Sequence, residues 1–518
     1  MEITKISLPL DNLVFDKLKQ NKAQVKKHGT SELVLSTEQL GLNLSLLSDK
    51  ALKVIKKLQD HNFKAYFVGG CIRDLLLGKK PKDFDVSTDA TPEQVRSIFA
   101  NSRIIGRRFK IVHVVFGYEI IEVTTFRSNQ EQAVVSSRAK FNKKGTRVSD
   151  KSGMILRDNV YGKNIVEDSL RRDFTINALY LDPIKGLIYD YNGGMYDLKE
   201  GLIDIIGDPK TRYSEDPVRM IRALRFSAKL GFKISKRSSD PIKKLSCKLL
   251  EVSNARMFEE VNKIFLSGHG HQSFMLLKQY QIFELLFPAT KALLDQDSYE
   301  EFVDYALLSS DERYKRNQPN MPHFLYSVIL WQVFYHRYYD YLDRFKNYVD
   351  VLPEATVANS VLDDIFDEQE TITSMPFAVS NSIRALWRTQ LSLEDEDNLT
   401  DENKIESIKN KSIFRAAFDF LTLRSKFDPF LSEKVDFWKP YYDLSKAQDR
   451  KLRELQDGKY KRKAAKKERL KEKNKGKGKS KGKSKNIDSF DNEERFSKKR
   501  KAALEKAKAW RAAMNLSN

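Results

Sequence analysis

Residues 66–88 read YFVGGCIRDLLLGKKPKDFDVST. An apolar run ends at Gly69-Gly70, a short basic helix follows, and the stretch closes on Asp83 and Asp85 with Phe84 between them. On a β-strand, side chains two apart share a face, so both carboxylates point one way while Phe84 enters the core. Like charges held this way are costly unless a cation sits between them. Two such carboxylates make a hard oxygen site suited to Mg2+, and a pair of these ions can activate a hydroxyl and neutralise a departing pyrophosphate. Alone, D-x-D reads more readily as a turn with Asp83 as a cap and Asp85 in solvent. The preceding Gly-Gly gives it meaning. Gly69 and Gly70 let backbone N–H groups approach a phosphate, a helix beginning at Cys71 aims its positive end there, and Arg73 adds a charged fork.

Strands and helices alternate around this stretch. Ser48 caps a helix with Leu52, Ile55 and Leu58 on one stripe. Thr91, Pro92 and Gln94 occupy N-cap, N1 and N3 of another helix. KIVHVVFGYEIIEVTTF forms a hairpin turning near Gly117-Tyr118. Residues 1–45 show no sustained period and read as a weakly structured extension. A polar stretch over about 128–159 reads as a mobile loop inside a catalytic domain. EDSLRRDFTINALYLDP is a helix leading into a strand, and IYDYNGG closes in a turn. From about Thr211 the periodicity is helical and stays so.

Further side chains extend the site. Glu122, directed inward from IIEVTTF, and Asp173, in RRDF, are alternative third carboxylates, and the choice between them stays open. Arg171 and Arg172 can clamp a triphosphate, although RRDF also reads as an ion-paired helix. In YSEDPVRMIRALRF, Asp216 and Arg219 are three apart and so project from one helical face. A carboxylate beside a guanidinium can read adenine, accepting from its amino group and donating to a ring nitrogen; a surface ion pair is the bland reading. His269 and His271, in GHGH, lack partner ligands for a metal, and Cys71 has no local base and fills a small buried space.

The chain has 518 residues, 41% hydrophobic, enough for two to four domains. It has no apolar run long enough to span a bilayer and no secretory layout at its N-terminus. Two cysteines, Cys71 and Cys247, supply no disulfide framework, so a reducing, cytoplasmic setting is expected. Charge is uneven: residues 450–518 hold 26 Lys+Arg against 9 Asp+Glu, or +17 of the net +21. A basic low-complexity appendage on a nearly neutral body suits a polyanionic partner, while a solvated solubility tail is the plain alternative.

GGCIRDLLLGKKPKDFD, IIEVTTFR, RRDFTINALY, DYNGGMYDLKEGLI and RYSEDPVRMIRALRFSAKLGF together resemble the class II nucleotidyltransferase superfamily. That group comprises bacterial poly(A) polymerases and CCA-adding tRNA nucleotidyltransferases. The likeness covers roughly 48–290 and thins beyond about 300; IIGRRFKIVHVVF and KKPKDFD resemble the poly(A) polymerase branch. The resemblance implies an α+β chain: a small mixed-sheet head (46–206), an all-α neck (207–290) and body (291–449), and a basic, largely disordered tail (450–518). It implies Asp83 and Asp85 as metal ligands, and Asp173, or alternatively Glu122, as the third catalytic carboxylate. Gly69, Gly70, Arg73 and Arg172 would meet the nucleotide, and Glu215, Asp216 and Arg219 would form its base template. Two Mg2+ ions would assist ATP, with single-stranded RNA 3′ ends as acceptor, held partly by the tail, and RNA-decay proteins as candidate partners. Template-independent polyadenylation is the implied reaction. A CCA-adding enzyme is the alternative and an inactive RNA-binding scaffold the third reading; the oligomeric state is not legible.

Overall fold

The computed structural model describes residues 12–106, 110–128, 161–344 and 354–445. The chain divides into two compact units, Met1–Tyr442 and Asp443–Asn518. The basic tail at 450–518 lies outside the described residues, as does the expected mobile loop apart from Ser128.

Eight strands form the head's sheet: β1 (Leu33–Ser36), β2 (Ala65–Val68), β3 (Asp85–Thr88), β4 (Ser102–Ile105), β5 (Ile111–Phe116), β6 (Glu119–Thr125), β7 (Leu179–Asp182) and β8 (Leu187–Asp190). Their order is β1-β8-β7-β2-β3-β6-β5-β4. Every neighbouring pair is antiparallel except β3–β6. Parallel neighbours need a crossover, which here begins with a helix at Pro92–Ile98. That helix starts as its sequence requires: the Thr91 side chain accepts from Gln94 N–H, the Gln94 side chain reciprocates, and Pro92 stands at N1. The β5–β6 hairpin pairs Phe116 with Glu119 and turns at Gly117, whose φ is +66°. The Asp190 carboxylate builds the DYNGG turn by accepting from the N–H groups of Asn192, Gly194 and Met195 at 3.0, 3.1 and 2.8 Å.

The reading of residues 1–45 as weakly structured fails. From residue 12 they join the head: α1 (Asn12–His28) buries Val14 and Leu18, and β1 pairs along its length with β8. The polar look of this segment misleads because Lys22 is itself buried. Its ammonium pairs with Asp197 and, at 3.2 Å, with Asp204. Gly193 makes room, since a Cβ there would lie 2.6 Å from Lys22 Cδ.

Beyond residue 207 the described chain is helical apart from Lys233–Ile234, which pairs in parallel with Leu202–Ile203. α2 (Pro209–Glu215) and α3 (Val218–Leu230) lead from the head, followed by α4 (Asn254–Phe265), α5 (Gly270–Gln279), α6 (Asp297–Lys315) and α7 (Pro322–Arg344). One hydrophobic cluster runs from Val14 in the head to Leu423 in the last helices, so the core does not break where the sheet ends. No described helix is long and apolar enough to cross a membrane.

Replacing Lys22 with Met should leave Asp197 and Asp204 facing each other in the interior. The expected loss is about 3–5 kcal/mol in urea unfolding, the scale for removing one member of a buried ion pair. Adding Asp197→Asn should recover part of it. A loss under about 1 kcal/mol would show that the carboxylates do not rely on Lys22.

Candidate active site

Asp83 stands just before β3 and Asp85 opens it. Phe84, 7% exposed, packs against Phe67 at 5.6 Å between ring centroids, so alternation turns both carboxylates to the opposite side, as expected. They line a cleft of about 910 Å3 together with Lys50, Lys82, His113 and Glu122. The parallel register sets Asp85 beside Glu122. The β5–β6 register sets Glu122 beside His113, whose Nε2 lies 3.4 Å from the Glu122 carboxylate.

The expectation that Glu122 points inward is wrong. Its side chain is 48% exposed, because Ile121 and Val123 take the core side of β6. Exposure is what delivers it to the cleft. The Asp85 carboxyl is pushed up to about 6, first by burial and then by the charges of Glu122 and Asp83, with Arg172 opposing. Negative charge is therefore in excess here.

Gly69 has φ +80° and ψ −137°, a region essentially reserved for glycine, and a Cβ there would lie 3.6 Å from Asp85 Oδ2. The helix after it begins at Gly70 and ends at Leu76. The buried Cys71 thiol donates to Val68 O at 3.3 Å and is pushed up to about 12 by burial and the Asp85 charge, which leaves it inert as a nucleophile. Arg73 is not the free fork expected. It is 3% exposed and donates to Asn177 Oδ1 at 2.7 Å and to Asp74 Oδ1 at 2.9 and 2.7 Å, bracing the helix internally.

Asp173 stands apart from the cleft. Its Oδ2 accepts from both Arg222 Nε, at 2.9 Å, and Arg222 NH2, while its Oδ1 accepts from Phe174 N–H. Burial pushes this carboxyl up, but Arg222 outweighs it and holds the group below the usual carboxylate range. The structure thus brings Glu122, and not Asp173, to the aspartate pair. Arg172 is aimed by two groups that the sequence reading missed: its Nε donates to Tyr180 OH at 3.0 Å and its NH2 to Asp168 Oδ2 at 3.1 Å. Tyr180 OH in turn donates to Asp168 at 2.7 Å. The four-residue spacing of Asp168 and Arg172 was the available signal.

Asp216 and Arg219 do not share a helical face. Asp216 has extended backbone, φ −147° and ψ 92°, between α2 and α3, and Pro217 caps the start of the next helix. Arg219 NH1 donates to Arg212 O at 2.9 Å and to Glu215 at 3.3 Å, so its guanidinium does not meet the Asp216 carboxylate, although its backbone N–H donates to Asp216 O at 3.1 Å. Asp216 Oδ2 instead accepts from Arg256 at 2.9 Å, and its Oδ1 is buried without a hydrogen-bond partner among the described residues. In GHGH, His271 pairs with Asp304, while Gly270 and His271 donate their backbone N–H groups to Asp311.

Among the described residues, no three His, Cys, Asp or Glu side chains converge into a metal cage. Mg2+ does not require one. It commonly uses one or two carboxylates and completes its shell with substrate phosphates and water. Two aspartates in an over-negative cleft, beside the Gly69-Gly70 turn, fit that pattern.

Comparison with known proteins agrees with this architecture. Residues 65–204 match the poly A polymerase head domain, 231–294 a probable RNA and SrmB-binding site of polymerase A, and 351–475 the polymerase A arginine-rich C-terminus. Poly(A) polymerase I of Escherichia coli O6:H1 is 39% identical over 412 residues, covering 78% of this chain and 84% of that one. The Haemophilus influenzae poly(A) polymerase I is 40% identical over 424 residues, covering 80% and 89%. A CCA-adding enzyme of Lactobacillus helveticus is 38% identical over a shorter 236 residues, 45% of this chain and 54% of that one. Among solved structures, the Bacillus stearothermophilus CCA-adding enzyme in complex with CTP aligns with a TM-score of 0.51 at 22% identity, over 75% of this chain and 82% of that one. It shares the fold. This chain belongs to the poly(A) polymerase family. The likeness was expected to thin beyond about 300, yet the C-terminal match runs to 475.

The charge excess predicts a stability effect. With its folded value near 6 against 3.8 for the free group, Asp85 keeps its proton longer when folded, so stability falls as pH rises from about 4 to 6. With divalent ions chelated, Asp85→Asn should escape that loss, gaining about 1–2 kcal/mol at pH 8 after allowance for solvent screening, and nothing at pH 4. Thermal melts at the two pH values check this; equal shifts at both would rule out charge as the cause.

Proposed function

We propose that this protein adds AMP from ATP to the 3′-hydroxyl of RNA without a template, releasing pyrophosphate. The observation that carries the reading is the convergence of Asp83, Asp85 and Glu122 on one cleft through the β3–β6 register. The family membership supports the same reaction.

Catalysis here is mainly positioning and fixed charge. Asp83 and Asp85 would hold Mg2+, which when bound supplies acidity to the attacking hydroxyl and neutralises triphosphate charge. Glu122, on the adjoining strand, would serve as the third catalytic carboxylate; Glu119, which also lines the cleft, is held by Lys50. Gly69 and Gly70 leave their backbone open to a phosphate. Arg172, aimed by Asp168 and Tyr180, sets a fixed positive charge near Asp85. The Asp216 carboxylate, held at Oδ2 by Arg256, would accept from the adenine amino group through its other oxygen. Arg219 keeps Nε and NH2 free of hydrogen bonds among the described residues, for a ring nitrogen, while Glu215 steadies its NH1. Asp173 acts at one remove, by holding Arg222. We assign base reading to the neck, 207–290, and non-specific RNA retention to the tail at 450–518. The low cysteine content suits a cytoplasmic enzyme, and RNA-decay proteins would meet it through its RNA.

An extension assay with a non-tRNA oligonucleotide and each of the four nucleotides tests the reaction. Long A tails are expected; strict dependence on tRNA ends with CTP incorporation would overturn the proposal in favour of CCA addition. Asp83→Ala and Asp85→Ala should each lower turnover by on the order of 100- to 1000-fold or more. Arg219→Ala should raise the KM for ATP and relax the choice of ATP over other nucleotides.

Removal of residues 450–518 should weaken RNA binding and leave the KM for ATP in place. Its salt dependence should flatten by about 0.7 in log–log slope for each phosphate that the tail had neutralised. Unchanged RNA affinity would remove the tail from the scheme.

A further inference from the structure

α3 carries Arg219, Arg222, Arg225 and Lys229 at spacings of three, three and four, which form one stripe along the helix. The first two are answered by carboxylates, Arg219 by Glu215 and Arg222 by Asp173. The next two are not. Arg225 lies over the Phe226 ring at 4.5 Å, its Nε is buried without a partner, and it makes no ion pair among the described residues. Lys229 is half-buried and likewise makes no ion pair or hydrogen bond among them.

More cations converge on the same place. Arg73 and Arg222 each lie 5.4 Å from the Phe226 ring, so three guanidinium groups surround one benzyl side chain. The loop before Asp83 brings Lys79 and Lys82, both exposed, and Lys82 donates to Tyr314 OH at 2.7 Å near the end of α6. Gly268 leaves no room for a Cβ against Tyr314, which sets His269 beside that contact. Lys315 follows Tyr314 and is exposed. The nearby carboxylates are already engaged: Asp74 by Arg73, Asp173 by Arg222 and Glu260 by Lys263.

The electrostatic consequences agree with the geometry. Arg225 is pushed down to about 10 by burial and by Arg222 and Arg73, against the pull of Glu260 and Asp173. His269 is pushed down to about 4 by burial and by Lys229, Lys79, Lys315 and Lys82, so it is neutral at pH 7. Lys229 is held below its usual range by burial and by Arg73, Arg225 and Lys82, with only Asp74 opposing. A fold gains little from half-buried cations that outnumber the carboxylates around them. A ligand gains more.

We propose that the basic patch formed by the Lys79–Lys82 loop, the C-terminal half of α3, His269 and Lys315 binds the phosphodiester backbone of the RNA substrate, as a site separate from the nucleotide site. This rests on the polyadenylation reading for the identity of the polyanion. Its place in the fold favours RNA over product pyrophosphate. Lys229 is ten residues beyond Arg219, about 15 Å along the helix from the base-reading end. The exposed lysines come from two separate elements and spread a mouth suited to successive phosphates.

The test uses the full chain and labelled oligo(A), with binding measured by anisotropy over a salt series and no nucleotide present. Lys229→Gln, and separately the surface pair Lys79→Gln/Lys315→Gln, should weaken RNA binding roughly tenfold. Each should flatten the log–log salt slope by about 0.7 for every phosphate left without its cation. The KM for ATP and inhibition by inorganic pyrophosphate should stay within twofold. The surface pair tests the proposal even if a half-buried substitution impairs folding. Unchanged RNA affinity and slope in a folded surface-pair variant would overturn it. So would altered pyrophosphate inhibition with RNA binding intact, which would assign the basic patch to the product. Because binding is read without catalysis, absence of AMP incorporation by the unmutated protein would defeat the polyadenylation reading alone.

Discussion

Parallel pairing of β3 with β6 sets Asp85 beside Glu122, and apolar residues, not the carboxylates, hold that register. Phe84 and Val86 on one strand, and Ile121 and Val123 on the other, are all buried. Slipping either strand by one residue would exchange its faces, burying a carboxylate and exposing valine or isoleucine. The hydrophobic core therefore buries Asp85 and pins like charges beside it at a cost to the head, visible in the raised Asp85 carboxyl. Stability and function pull in opposite directions at this point, as is common where a site is built before its ligand arrives.

Features with a local cause were legible in the sequence. The Asp83/Asp85 face needs only the period of a strand, the Thr91 capping box only three neighbouring residues, and the hairpin only Gly117 at the right place. Features whose cause lies far along the chain were not. Lys22 looks solvated until Asp197 and Asp204, 175 and 182 residues away, are placed around it. The choice between Glu122 and Asp173 turns on Arg222, 49 residues from Asp173, which claims that carboxylate. Arg256 reaches Asp216 across 40 residues and gave no local signal.

Asp216 is a different kind of miss, because the signal was present. A residue before proline is driven out of helical backbone by the proline ring, so Asp216-Pro217 breaks the helix that an i,i+3 pair with Arg219 would need. The break has a use. It keeps the Asp216 carboxylate off Arg219, so that each is held by a different partner, Asp216 by Arg256 and Arg219 by Glu215.

The same separation of charges recurs along α3. Its first arginines are matched to carboxylates and thereby fixed in position, which suits groups that must meet one base in one orientation. Its last cations are unmatched, which suits a ligand that supplies charge but little shape. The sign of the field also changes abruptly in the loop before β3, where Lys82 contacts Tyr314 and the next residue, Asp83, faces the negative cleft. A strand of RNA lying over that loop would have its backbone drawn to one side and its terminal hydroxyl presented to the other. Under that proposal, placement of the 3′ end would follow from two adjoining fields of opposite sign.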